Sequence, residues 1–295
     1  MVHGASAIAV RVPGGAHITW SVHDEHVLEI PRWSLSLRPD AGSSAELARA
    51  HRALLDALPF RCPPTRLVAH LEIPSGAGLG SSAALGVAAL RALEAAAGVT
   101  LSDEARFELV FHWERVFHGN PSGFDHATSL CEGFTIYQRG QTPPFRAQAL
   151  KRPLTLVIAH VEPGASTAQM VAGVGEWARA HTDVWATLML DAHARADALL
   201  ALLDAGDWAA AGALFDENHA ALQQIGVSTP ALDQACEAAR RAGAYGAKLI
   251  GAGGGGCVAA LVDSERAAAV EAALQTHSLL AFTLALNSTP QVAAS

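Results

Sequence analysis

The chain contains few of the residues that hold small secreted or zinc-binding proteins together. Its four cysteines are scattered over 295 residues and form no C-x-x-C pair or other zinc-ligand spacing. Cysteines in this pattern are typical of a reducing compartment rather than of a disulfide framework. A run of about eighteen apolar residues and a signal-peptide pattern are also absent, so we expect a soluble, cytoplasmic protein.

Positive charge is scarce as well. Lysine occurs only at Lys151 and Lys248, and twenty basic residues stand against twenty-eight acidic ones, which gives a formal net charge of −8. An acidic surface disfavours binding to nucleic acids and to anionic membranes. An anionic small-molecule substrate would therefore need local hydrogen-bond donors.

The length and the 51% apolar content allow one large or two medium domains with a sizeable core.

Residues 74–84 form a glycine- and serine-rich segment that supplies such donors. Glycine lets backbone N–H groups approach a ligand closely, and the start of a helix adds free N–H groups and partial positive charge. Because a strand-like run precedes the segment and an alanine-rich helix follows it, the pattern favours a phosphate site. The alternative is a plain turn in which Ser81 or Ser82 caps the helix. The lysine of the P-loop pattern and the third glycine of the dinucleotide pattern are absent here.

Glu114 lies on the same helical stripe as the apolar Phe107 and Val110, in a predicted helix that starts near residue 102. A carboxylate on the buried face of a helix is costly unless it is paired or bound to a cation. The alternative is a slightly rotated helix, in which Glu114 reaches solvent or pairs with Arg115 or His118.

Asp125 follows a glycine- and proline-containing turn at residues 119–123. It stands three residues after Ser122, which is the spacing of a capping box, so one interpretation is a helix-capping partner. The other is a carboxylate that orients or deprotonates a substrate hydroxyl.

Periodicity and turn residues predict an α+β fold with two domains, residues 1–150 and 151–295, divided by a segment rich in Pro, Gln and Arg at 140–152. We expect strands near 7–12, 17–22 and 26–30 in a small antiparallel sheet, and further strands near 67–73, 133–139, 154–161, 247–250 and 257–262. Helices are predicted near 45–58, 81–97, 102–118, 166–179, 184–204, 208–224, 231–242 and from 264.

The glycine run at 251–256 contains G-x-G-x-x-G, but a strand follows it where a dinucleotide site requires a helix. A backbone bend that approaches another group closely is the favoured interpretation, and a tight hairpin is the alternative.

Three segments, in this order, resemble the GHMP family of small-molecule kinases. They are P-x-G-x-G-L-G-S-S-A-A at 74–84, E-R-x-x-H-G-N-P-S-G-x-D at 114–125, and G-A-K-L-I-G-A-G-G-G-G-C at 246–257. The second is most similar to the family members that phosphorylate mevalonate. The resemblance implies ATP-dependent phosphorylation of a primary alcohol, with mevalonate as the favoured acceptor. It also implies an N-terminal half like domain 2 of ribosomal protein S5 and a ferredoxin-like C-terminal half.

The resemblance further implies a role for each matched residue. Ser82 and Glu114 would hold Mg²⁺, and Asp125 would lie beside the attacking hydroxyl as a base or an orienting group. The residues expected to bind ATP are Pro74, Gly76, Ala77, Gly78, Leu79, Gly80, Ser81, Ser82 and Ala83. Those expected on the substrate side are His3, Ser122, Gly123, Phe124, Gly253 and Gly254.

The chain departs from the family at its start. The family begins with a strand that carries a lysine, which pairs with the catalytic aspartate, and continues as G-E-H-x-V-V-x-G; only Val2-His3-Gly4 of this segment is present. One hypothesis is a misplaced start, with about ten to twenty further residues encoded upstream of Met1. The other is a truncated homologue that binds nucleotide with weak or no turnover.

A second departure concerns the acceptor. Phe124 stands where valine or isoleucine is frequent in the family, and His126 where asparagine is frequent, and a larger side chain beside Asp125 would narrow the acceptor pocket. Phosphomevalonate, homoserine or a sugar are therefore alternative acceptors. We expect a small-molecule substrate, no nucleic-acid or membrane partner, and a homodimer as a candidate assembly.

Overall fold

The computed structural model describes residues 6–12, 14–72 and 79–287. By its backbone contacts, the chain divides into two compact units. The N-terminal unit holds the described residues of 10–72 and 79–132, and the C-terminal unit holds residues 6–9 and 133–287. Each unit combines helices with sheet, which confirms the predicted α+β class. The boundary at residue 150 stays a prediction.

Helices and strands are numbered in chain order. The strands are β1 (Ala7–Val10), β2 (Ala16–Val22), β3 (Val27–Ile30), β4 (Leu35–Leu37), β5 (Thr65–Leu71), β6 (Phe134–Tyr137), β7 (Phe145–Gln148), β8 (Leu154–Glu162), β9 (Gly246–Ile250), β10 (Gly256–Val262) and β11 (Leu280–Leu286). The helices are α1 (Glu46–Ala57), α2 (Ser81–Ala97), α3 (Asp103–His118), α4 (Phe124–Leu130), α5 (Thr167–Ala180), α6 (Thr182–Ala205), α7 (Trp208–Ile225), α8 (Pro230–Arg241) and α9 (Ala267–Gln275). The predicted helices and strands agree with these bounds to within a few residues, whereas β4, β7 and β11 were not predicted.

The sheet of the N-terminal unit has the strand order β2-β5-β3-β4. Strand β2 runs antiparallel to β5, but β3 runs parallel to β5, with Leu28 opposite Leu67. The predicted antiparallel sheet of the first three strands is therefore wrong, because β1 pairs with β6 in a separate sheet and β2 and β3 flank β5. Alternating burial along β5 shows that one face of this sheet points into the core.

Helix α2 is apolar along most of its length and is the buried helix of the N-terminal unit. Gly98 ends it with a positive φ of 66°, and Ser102 caps α3 by accepting a hydrogen bond from the Ala105 N–H, which confirms the predicted start of this helix. The C-terminal end of α2 is tied to the start of α3 through Glu94, which is 3% exposed and accepts from Arg106 Nε at 2.9 Å.

The C-terminal unit is built on a second sheet with the order β11-β8-β10-β9, in which neighbouring strands are antiparallel. Side chains of β8, β9, β10, α8 and α9 form its core. A three-stranded sheet of β1, β6 and β7 belongs to the same unit, except that Val10 at the end of β1 falls in the other. Within the described ranges, no helix is long and apolar enough to cross a membrane.

Candidate active site

The N terminus of α2 meets the start of α4. Gly80 is the N-cap of α2 and has a φ of +74°, a conformation that favours glycine. A Cβ atom added to Gly80 would lie 3.7 Å from the Cβ of Asp125. The helix end expected to bind phosphate therefore lies against the carboxylate expected to act on the acceptor, although the two are far apart in the sequence.

The described residues of the phosphate segment are 79–84. Because Gly80 is the N-cap and supplies no side-chain bond, the alternative in which Ser81 or Ser82 caps α2 is wrong. The Ser82 hydroxyl instead lies beside Glu114 and acts to lower the pKa of that carboxyl. Five of the residues expected to bind ATP or substrate lie outside the described residues, so their roles stay predictions: Pro74, Gly76, Ala77, Gly78 and His3.

Glu114 is buried, with only 1% of its surface exposed. Burial, followed by the nearby charge of Asp125, raises the pKa of Glu114 from 4.5 to about 7, and the hydrogen bond from Ser82 opposes this rise. Oε2 lies 3.6 Å from His118 Nε2, whereas the buried Oε1 has no hydrogen-bond partner among the residues that the structure describes. The alternative of a rotated helix with Glu114 in solvent is therefore wrong, while an approach to His118 is found.

Asp125 lies in the first turn of α4 and is exposed to solvent. The surrounding protein nevertheless raises the pKa of Asp125 through desolvation, and the charge of His118 opposes this rise. Asp125 is therefore reachable by a ligand, and its pKa lies above its usual range.

The turn before α4 differs from the predicted capping box. Gly123, with a φ of +90°, is the N-cap, and no side chain caps the helix there. Ser122 Oγ accepts a hydrogen bond from the Phe124 N–H at 3.2 Å, one residue earlier than predicted. The capping role of Asp125 with Ser122 is therefore wrong, which leaves the Asp125 carboxylate available for another function.

His126, next to Asp125, is packed between two aromatic rings. Its ring centroid lies 4.5 Å from that of Phe107 and 4.6 Å from that of Phe111, and its residue is 1% exposed. Burial lowers the pKa of His126 to about 3, so the imidazole is neutral near pH 7. This contact anchors α4 on α3 and thereby supports the position of Asp125.

The residues present fit a magnesium ion. Mg²⁺ is commonly bound by one or two carboxylates together with substrate phosphates. A buried carboxylate with one free oxygen, beside a hydroxyl at a helix N terminus, offers this type of donor set. In the part of the chain that the structure describes, no group of three or more His, Cys, Asp and Glu side chains forms a metal site by itself. Phosphate oxygens would have to complete the coordination.

The glycine run of the C-terminal unit forms the turn between the antiparallel strands β9 and β10. Gly253 has a φ of +82°, and an added Cβ would lie 2.3 Å from the carbonyl oxygen of Val227. Gly254 donates to that same oxygen at 2.8 Å and accepts from the Ala165 N–H at 2.8 Å. Both interpretations of the run hold in part, because it is a hairpin whose backbone approaches two other segments. The substrate roles of Gly253 and Gly254 stay predictions.

Sequence reasoning missed a polar network that supports this turn. The Leu249 N–H donates to His219 Nδ1 at 3.3 Å, so Nε2 carries the ring proton. Nε2 lies 3.1 Å from Asp233 Oδ1, and Ser228 Oγ donates to the same oxygen at 2.5 Å. The network links β9 to residues 227–233, the segment in which the Val227 carbonyl accepts a hydrogen bond from the Gly254 N–H.

Both lysines of the chain have partners in the C-terminal unit rather than Asp125, the residue that pairs with a lysine in the family. Lys151 Nζ lies 2.5 Å from Asp204 Oδ2, and Lys248 Nζ donates to the Leu249 carbonyl at 2.7 Å. His118 is therefore the basic group whose charge acts on Asp125 among the described residues.

Comparison with known proteins gives two family matches. Residues 45–133 match the model of the GHMP kinases N terminal domain, and residues 199–278 match that of GHMP kinases C terminal. The first match includes Ser82, Glu114 and Asp125.

Individual relatives agree with these matches. The mevalonate kinase of Methanothermobacter thermautotrophicus is 33% identical over 267 residues, which cover 88% of this chain and 84% of that protein. The mevalonate kinase of Thermococcus gammatolerans is 35% identical over 200 residues, or 66% of this chain, but the match spans only 59% of that protein. The crystal structure of L. major mevalonate kinase in complex with R-mevalonate superposes with a TM-score of 0.83 at 27% identity, over 99% of this chain and 92% of that one.

Proposed function

Because the chain belongs to the GHMP kinase family, we propose that it uses ATP to phosphorylate the primary hydroxyl of mevalonate, giving 5-phosphomevalonate. The observation that carries this proposal is the convergence of Ser82, Glu114 and Asp125 at the N terminus of α2. Family membership supports ATP as the phosphate donor, and the relatives described above support mevalonate as the acceptor.

The ATP phosphates would bind at the start of α2. The first-turn N–H groups of a helix have no partner within it, and the helix dipole favours negative charge at this end. Gly80 leaves this N terminus open because it has no side chain. The residues that would complete the phosphate site are the glycines and neighbouring residues of 74–83, as expected from the sequence.

Ser82 and Glu114 would hold Mg²⁺, which when bound neutralises phosphate charge and orients the transferred group. The chain prepares this site by burying Glu114 with one oxygen unpaired. Glu114 must be ionised to act as a ligand, so its pKa of about 7 makes metal affinity dependent on pH.

Asp125 would accept a hydrogen bond from the acceptor hydroxyl and take its proton as the phosphoryl group is transferred. A pKa above the usual aspartate range brings the carboxylate nearer to the pH at which a general base is effective. Phosphoryl transfer depends mainly on positioning and charge stabilisation, so orientation of the hydroxyl by Asp125 is at least as important as proton removal. His118 stabilises the ionised form of Asp125.

Release of ADP, measured with a panel of alcohols, tests the proposal. The panel comprises mevalonate, phosphomevalonate, homoserine and galactose, with ATP and MgCl₂ in excess. We expect turnover with mevalonate and none with the others. Turnover with another alcohol would identify a different acceptor, and nucleotide binding without any turnover would indicate a catalytically silent homologue.

We further propose a cytoplasmic location and, as a candidate assembly, a homodimer.

Phe124 gives one reason to keep another acceptor in the panel. It begins α4 directly before Asp125 in the chain and is partly buried, and we propose that its ring limits the space near the carboxylate. Substituting Phe124 with valine should raise kcat/KM for a bulkier alcohol if the ring restricts the acceptor site. If the ratio of kcat/KM values between the alcohols stays unchanged, Phe124 does not determine acceptor specificity.

A further inference from the structure

Trp113 joins α3 to the first turn of α2. It has the largest side chain among the fully buried residues of the described ranges, with 0% exposed. Its indole Nε1 donates a hydrogen bond to the backbone carbonyl of Ser82 at 3.0 Å, and the next residue in the chain is Glu114. The Trp113 side chain therefore links the backbone of Ser82, one proposed metal ligand, to the position on α3 that directly precedes Glu114, the other proposed ligand.

Gly86 makes room for this contact. Ser82 and Gly86 are one helical turn apart and lie on the same face of α2. A Cβ atom at Gly86 would lie 2.7 Å from Trp113 Cδ1 and 3.0 Å from Nε1, closer than packed atoms approach. Glycine is disfavoured inside a helix relative to alanine, so Gly86 in an alanine-rich helix is explained by the indole that crosses it.

The same helix pair is held at its other end by different residues. Glu94, near the C terminus of α2, accepts from Arg106 Nε at 2.9 Å and from the Leu101 N–H at 2.6 Å. These contacts and the Trp113 bond fix α2 against α3 at both ends. A shift or rotation of α2 would have to break one of them.

We propose that Trp113 is a positioning residue that holds the Ser82 hydroxyl beside the Glu114 carboxylate in the arrangement that Mg²⁺ requires; this rests on the proposed kinase function. The first turn of α2 receives no side-chain cap from Gly80. Without such a cap, a helix end frays readily. The indole bond leaves the first-turn N–H groups free and instead restrains the backbone of Ser82, the residue whose hydroxyl lies beside Glu114.

The first test replaces Trp113 with phenylalanine, which keeps an aromatic ring but removes the N–H donor. The readout is the MgCl₂ concentration that half-saturates the thermal stabilisation by a non-hydrolysable ATP analogue, which needs no turnover. Loss of one neutral hydrogen bond corresponds to about a fivefold change in equilibrium, so we expect about five times more MgCl₂ to be required. The KM for mevalonate should stay unchanged, because the bond that is lost ends on the Ser82 carbonyl, at the end of α2 where the phosphates would bind.

Two control variants separate positioning from packing. Trp177→Phe changes a partly exposed tryptophan of the C-terminal unit and should leave the magnesium requirement unchanged. Glu94→Gln weakens the α2–α3 contact away from the site, so it should lower the melting temperature without changing the magnesium requirement. If Trp113→Phe behaves like Glu94→Gln, Trp113 is a packing residue and the proposal is wrong.

Gly86→Ala provides a second route if Trp113→Phe does not fold. It keeps the donor but pushes the indole away, so it should raise the magnesium requirement in the same direction. A folded Gly86→Ala protein with a normal requirement contradicts the positioning role. Absence of magnesium-dependent nucleotide binding in the unsubstituted protein would instead overturn the proposed function.

Discussion

Substitution of Glu114 by glutamine should make metal-free stability less dependent on pH. Glu114 is 1% exposed, and its pKa is raised from 4.5 to about 7. Each pH unit between the unfolded and folded pKa values corresponds to about 1.4 kcal/mol, so ionising this group costs the metal-free fold about 3 kcal/mol. Glutamine has nearly the same shape and does not titrate, so Glu114→Gln should lack this cost.

The upward shift of the Glu114 pKa determines the direction in which stability changes with pH. Because the folded pKa lies above the unfolded one, the protonated carboxyl stabilises the fold fully below about pH 4.5, and this contribution is lost as the pH rises through about 7. The free energy of unfolding of the unsubstituted protein should therefore fall, relative to Glu114→Gln, by about 3 kcal/mol between pH 4.5 and pH 8. Above that pH, the difference should be constant.

Urea unfolding in EDTA at pH 5, 6, 7 and 8 measures this difference. Taking the difference between the two proteins removes contributions from groups that titrate equally in both. Glu108→Gln is the matched control, because Glu108 is exposed on the same helix, so a general effect of replacing a glutamate of α3 by glutamine would appear in both variants. A pH-independent difference for Glu114→Gln would show that Glu114 is not held in a desolvated site.

Three further substitutions test other parts of the account. Asp125→Asn should reduce kcat roughly a hundredfold or more with ATP affinity kept, and near-normal kcat in a steady-state assay would remove Asp125 from the chemistry. Gly253→Ala places a Cβ 2.3 Å from a carbonyl oxygen, so calorimetry should show a larger loss of melting temperature than for Gly226→Ala, which has a similar positive φ but no neighbour within 4 Å. His219→Leu should destabilise the C-terminal unit by about 1–3 kcal/mol in urea unfolding, because it leaves the buried Leu249 N–H unpaired, and His219→Gln should recover part of this loss.

The pattern of apolar, turn and capping residues along the sequence was sufficient to predict most helices and strands. The helices α1 and α8 have one clearly apolar face, and α2 and α3 have clear caps, such as Ser102 before α3 and Gly98 after α2; these signals depend on neighbouring residues only. The strand β7 was missed because it is short and lies in a segment rich in proline and glutamine. Strand pairing was also wrong for β3, since parallel pairing with β5 depends on the path of the intervening helix α1.

The site was only partly predictable. The stripe that contains Glu114 is compatible with a buried or an exposed carboxylate, because a small rotation of α3 decides between them; in the structure Glu114 is buried. The approach of Gly80 to Asp125 is a tertiary contact that no local pattern contains. Trp113 had a weak signal in the sequence, namely a glycine at position 86 inside an alanine-rich helix, but its partner could not be identified without the structure.

The magnesium dependence of mevalonate-dependent ADP release, compared between the unsubstituted protein, Glu114→Gln and Ser122→Ala, tests the central claim most directly. If Glu114 and Ser82 hold the metal at the phosphate end of α2, Glu114→Gln should require far more MgCl₂ for half-maximal rate, while Ser122→Ala should change the requirement little. Equal magnesium dependence in the unsubstituted protein and Glu114→Gln would contradict the claim that Glu114 is a metal ligand.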